Sequence, residues 1–124
     1  MCLRLYAATD TPLPLGRWVS AAGLDCEVAP LECPLAADAP ACLVELCYGA
    51  CACHLATGRA LGRRVAEVAE KVLAAGARLE LLLVDEQGRY RWEAADPRPW
   101  PLTRLADQGV GGLPEGQVVS IYAP

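Results

Sequence analysis

The stretch Cys47-Tyr-Gly-Ala-Cys51-Ala-Cys53-His54 brings three thiols and the chain's only histidine within one turn-sized segment. Thiolate and imidazole are soft to borderline ligands, the types that hold zinc or an iron–sulfur centre, so Cys47, Cys51, Cys53 and His54 form the candidate metal set. Their spacing differs from the two separated Cys-x2-4-Cys or His pairs of the common structural zinc site, and neighbouring residues such as Cys53 and His54 rarely turn into one tetrahedron. A site built here would therefore combine Cys51 and Cys53 with Cys47 and one of the distant cysteines, or with the partner subunit of a dimer.

The same residues support a second chemistry. Cys51 or Cys53 could act as a redox or nucleophilic thiol, with His54 as base and the other cysteine resolving. A disulfide within Cys-x-Cys closes a tight, strained ring that is easily reduced. The segment lacks the thioredoxin-type Cys-x-x-Cys, and Cys51-Ala-Cys53-His54 is one residue short of the Cys-x-x-Cys-His that attaches c-type haem. In a third reading the cysteines only pack, as small apolar residues slightly larger than the alanines beside them.

Whichever holds, strands and helices must place these groups. Leu43 to Tyr48 reads as a strand, with Val44, Leu46 and Tyr48 on one face and Glu45 and Cys47 on the other. Beyond the cysteines, Leu61, Val65, Val68 and Val72 recur at helical spacing, with Thr57 as expected N-cap and Gly76 as C-terminal cap. The cluster is thus expected at the carboxyl end of a strand and the N-terminus of the one long helix, where exposed N–H groups favour a thiolate.

Cys2 to Ala8 reads as a first strand, closed by the Asp10-Thr-Pro-Leu-Pro turn signal, with a strand-like piece near Cys26 to Leu31 and an irregular Glu32 to Ala41 connection. Leu79 to Val84 and Arg89 to Glu93 are expected to pair as a hairpin about the Asp85 to Gly88 turn, with Tyr90 and Trp92 on one face. Pro97, Pro99 and Pro101 allow at most one short helical turn, with Leu102 and Leu105 inward, and Val118 to Ala123 closes the chain as a strand. The expected fold is one α+β domain spanning residues 1–124, in two layers: a mixed, largely antiparallel sheet with one main helix across it.

The chain's 124 residues, 54% hydrophobic and 21% charged, suffice for a core without staples. No segment approaches the roughly 18 apolar residues a membrane helix needs, and no basic region leads an apolar export signal, so a cytoplasmic protein is expected. The net charge of −4 works against a grip on phosphate backbones, so no nucleic-acid partner is expected. Arg59, Arg63 and Arg64 share their helix with Glu67 and Glu70 and read as a solvated face. Seven cysteines are odd in number and cannot all pair within one monomer, and with no export signal reduced thiols are expected. Lys71 is the only lysine and there is no Asn or Phe, a bias expected of a GC-rich genome and consistent with a thermophile.

The opening Met1-Cys2 resembles class II glutamine amidotransferases, in which removal of Met leaves an N-terminal cysteine nucleophile. The Asn-Gly pair those enzymes use for the oxyanion is impossible in a chain without Asn. More of the chain, from Met1-Cys-Leu-Arg-Leu-Tyr-Ala-Ala-Thr-Asp-Thr-Pro-Leu-Pro-Leu15 to the central Gly49-Ala-Cys51-Ala-Cys53, resembles a family of short uncharacterised bacterial proteins. They share an initial Met-Cys strand, an Asp-x-Pro-Leu-Pro turn and a mid-chain Cys-x-Cys, and the resemblance brings no activity or cofactor with it. The function classes left open are a metal or thiol protein, in which cysteines converge, and an interaction module, in which they scatter. An exposed edge strand at Val118 to Ala123 or an apolar patch around Trp100 would favour the second, as a homodimer.

Overall fold

Alternation of apolar residues along Leu3–Thr9 (β1) lets this strand bury both faces, and it lies near the middle of a six-stranded sheet. The computed structural model describes residues 2–28, 41–49, 51–85 and 97–124. β1 is followed by a short helix, Leu15–Ala21 (α1), and strands Asp25–Val28 (β2) and Cys42–Cys47 (β3). Two helices come next, Cys53–Thr57 (α2) and Arg59–Ala74 (α3), then strand Leu79–Asp85 (β4). Strand Arg98–Pro101 (β5), helix Leu102–Gln108 (α4), a 3-10 turn at Val110–Gly112 and strand Val119–Tyr122 (β6) complete the order. The sheet runs β2-β3-β1-β4-β6-β5, antiparallel except for the parallel β5–β6 pair, so the α+β class and the mixed, largely antiparallel sheet are as the sequence implied.

One face of the sheet carries Leu5, Ala7, Leu46, Leu79, Leu81 and Leu83, packed with Leu15 and Val19 of α1, Leu55 of α2, Val65, Val68 and Val72 of α3 and Leu105 of α4. The helices share this one core and form the second layer. α3 fits there because its buried positions recur at three- and four-residue intervals and small Gly62, Ala66 and Ala69 lie among its larger buried side chains. Gly76, at φ +79°, turns the chain after α3, as expected of a cap in the left-handed region. The other face carries Tyr6, Leu82 and Val84 together with Glu45 and Glu80, buried acids that accept from Arg4 (3.0 Å) and Arg78 (3.3 Å) respectively.

Several expectations need correction. Thr57 does not cap the long helix: it ends α2, its hydroxyl donating to the Cys53 carbonyl, and Gly58 is the residue before α3. The stretch after Pro14 is helical, because Leu15, Trp18 and Val19 form a one-turn apolar stripe that the prolines precede without interrupting. β6 lies between β4 and β5 and is not an edge, and Trp100 is buried with Arg104 stacked 3.9 Å over its ring. Both features that would have favoured an interaction module are therefore missing from those positions. The return strand expected at Arg89 to Glu93, with Tyr90 and Trp92, lies outside the described residues, while β4 finds its described partners in β1 and β6.

Candidate metal centre

A tight reversal after β3 creates the site. Tyr48 N–H donates to the Cys51 carbonyl (3.1 Å), closing a turn in which Gly49 adopts φ +75°, a left-handed conformation open to glycine without Cβ strain. The Gly49 N–H donates to the Asp25 carboxylate at 2.9 Å, fixing the turn to the start of β2. The chain then runs alongside the start of β1, where both backbone groups of Leu3 are engaged. Ala52 N–H donates to the Leu3 carbonyl (2.9 Å), and Leu3 N–H donates to Cys53 Sγ (3.3 Å). Ala52 is fully buried at this junction and Leu55 anchors α2 in the core.

This zipper brings Cys2 beside the Cys-x-Cys segment. The sulfurs of Cys2, Cys51 and Cys53 all lie within 4.8 Å of one another, and all three residues are half-buried. Cys51 and Cys53 were legible as candidates; Cys2 joins them through a long-range contact that spacing does not show. Neither Cys47 nor His54 belongs to this group. Cys47 ends β3 on the Glu45 face, as alternation required, and its thiol lies 3.8 Å from the Asp25 carbonyl. His54 is exposed, and its ring meets Tyr48 edge-on at 6.2 Å.

Electrostatics separate the thiols further. Cys51 is held below the ordinary thiol range, foremost by the backbone N–H of Cys53 and then by the Cys53 thiol. Partial burial opposes this, while Cys2 and the Arg4 guanidinium add to it. Cys47 is pushed up to about 11, first by burial and then by Glu27, Glu45 and Asp25 and by Cys26, which disfavour a further negative charge. Cys26 is raised likewise by burial and Glu27. Cys42 packs against the core and lies 3.5 Å from the Leu13 N–H. Among the described residues the cysteines thus divide: Cys2, Cys51 and Cys53 converge, whereas Cys26, Cys42 and Cys47 sit apart as packing residues. Cys33 lies outside the described residues.

The expected helix-end contribution takes a different form. The helix beginning at Cys53 is the five-residue α2, and α3 starts only at Arg59. Individual N–H donors, those of Leu3 and Cys53, therefore face the sulfurs in place of the dipole of a long helix. No helix among the described residues is long and apolar enough to cross a membrane. The chain matches no protein-family model, and neither curated proteins nor solved structures yield a match.

Proposed function

We propose that this protein binds one thiophilic metal ion, with zinc the best fit, through the thiolates of Cys2, Cys51 and Cys53. The observation that carries the reading is the convergence of three sulfurs within 4.8 Å from two remote parts of the chain. Two thiolates bound to one tetrahedral zinc at about 2.3 Å are roughly 3.8 Å apart, so the sulfurs need close by only on the order of 1 Å. Such a movement is within reach of small χ1 adjustments. A four-iron cluster puts each thiolate on its own iron and spaces them more widely, which fits this close group less well, and a two-iron cluster needs four cysteine ligands where three converge among the described residues. The donors from Leu3 and Cys53 to sulfur favour the charged ligand form that a metal requires.

The test is equilibrium dialysis of the reduced protein against zinc, with elemental analysis and a thiol count on the same sample. Near-stoichiometric zinc is expected, lost in Cys51→Ser/Cys53→Ser and in Cys2→Ser and kept in Cys42→Ser. A wild-type protein that takes up no zinc at micromolar concentration, or one whose zinc survives loss of all three thiols, would overturn the assignment.

A further inference from the structure

We propose that the ion in this centre is exchangeable, passed to and from an external thiolate through a fourth coordination position that opens to solvent beside Tyr48 and His54. The inference rests on the metal-binding reading above and adds what the site does with its ion. Structural zinc sites are closed by four protein ligands, whereas sites with three protein ligands keep a position for an outside group. The described residues supply three converging sulfurs, each half-exposed at the surface. The rim is unusual for a surface turn. Tyr48 is one of the two exposed large hydrophobic side chains among the described residues, at 45% exposure, and it pairs across the turn with Cys51 itself. Its ring meets that of His54, the residue after Cys53, so an exposed aromatic pair borders the thiols.

The group that displaces a thiolate from a soft ion must itself be soft, and a thiolate meets that condition. The external thiol loses its proton to solvent as its sulfur bonds to zinc, and the water that filled the fourth position leaves to solvent. One of the three zinc–sulfur bonds to the chain then breaks, and the released thiolate takes up a proton. Zinc keeps its oxidation state throughout, and each further exchange moves the ion one ligand nearer its acceptor. Two sources share this chemistry, a small cellular thiol and a cysteine pair on another protein, and the exposed aromatic rim offers an apolar contact that only the second would use.

Zinc-loaded protein should be examined by X-ray absorption, and its transfer to dithiothreitol and to a synthetic Cys-x-x-Cys peptide followed by stopped flow. Three sulfurs and one light atom are expected before a thiol is added and four sulfurs afterwards, with transfer rates that rise in proportion to acceptor concentration. Tyr48→Ala separates the sources. Several-fold slower transfer to the peptide alone assigns the exchange to a protein thiol, and equal rates with both acceptors assign it to a small thiol. Four sulfurs without added thiol, as Cys33 would provide, or imidazole scattering lost in His54→Ala, would show a closed site and overturn the proposal. Transfer rates independent of acceptor concentration would overturn it as well. Failure of the metal-binding reading is distinct, since no zinc would then be loaded in the first place.

Discussion

Gly111 lies far from the thiols in sequence, yet Gly111→Ala should weaken metal binding. A methyl group built on Gly111 would fall well inside van der Waals contact of the Ala56 carbonyl oxygen, a backbone atom of α2 with no rotamer by which to retreat. α3 also hems in α2, because Gly62 approaches the Leu55 carbonyl closely enough that a Cβ there would sit 3.2 Å from it. Relief therefore requires α2 and the 3-10 turn to move apart by on the order of 1 Å, at the roughly 1–3 kcal/mol typical of an overpacked core. Cys53 is the first residue of α2, so such a shift adds to the roughly 1 Å that the sulfurs must already close, and metal–ligand distances tolerate only about 0.2 Å of residual error. Urea unfolding of the metal-free variant should show the stability loss, and competition with a zinc indicator should show affinity about tenfold weaker, equivalent to roughly 1.4 kcal/mol. Gly16→Ala, in α1, is the control: its added methyl would meet no atom within 4 Å. If the two variants bind zinc equally well, the coupling of α2 position to the thiols is refuted.

Three further outcomes follow from the same geometry. Leu81→Ala, in the centre of the helix-covered face, should cost about 2–5 kcal/mol in chemical denaturation while leaving zinc stoichiometry unchanged, since no part of the site rests on that side chain. Gly49→Ala meets no atom but must hold a left-handed φ, so a stability loss of about 1–2 kcal/mol with weakened zinc binding is expected; a wild-type value would show that the turn relaxes freely. The thiol of Cys47 titrates from the ordinary value of 9.0 when unfolded to about 11 when folded, so the native state holds the proton more tightly. Its contribution is fully present below pH 9 and is lost as the pH rises through 11. Stability of the metal-free protein should fall across that window, and Cys47→Ala should flatten the fall; an unchanged pH profile in the variant would exclude Cys47 as its cause.

The strands β1, β3 and β4 and the helix α3 were legible because each has a repeating apolar pattern, period two or near 3.6, long enough to outweigh its exceptions. α1 was hidden because its seven residues hold only one stripe of Leu15, Trp18 and Val19, directly behind two prolines that read as a turn. At the site, the Cys-x-Cys pair was visible as a motif, but the third thiol was not. Cys47 looked nearer in sequence, although the same alternation that grouped it with Glu45 already turned its thiol toward the sheet face beside Asp25. Cys2 is recruited by the Leu3–Ala52 and Leu3–Cys53 hydrogen bonds, which use backbone donors and acceptors that any residue type supplies. Contacts of that kind leave no compositional trace.

That recruitment also explains why the centre sits where it does. β1 is paired on both sides, to β3 from Leu5 to Thr9 and to β4 from Leu3 to Thr9, so the backbone next to Cys2 is fixed by the sheet. Across from it, the Cys51 turn is tied to β2 through Asp25, and α2 is locked between α3 and the 3-10 turn. The entropy of closing the long loop between Cys2 and Cys51 is thus met by folding of the sheet before any ion arrives. A ligand set prepared in this way needs only small sulfur movements to close on zinc, and its three residues remain half-exposed. In the proposed exchange, a preorganised backbone and a half-exposed sulfur face are the combination that would hold an ion firmly in the absence of an acceptor and surrender it when a competing thiolate arrives.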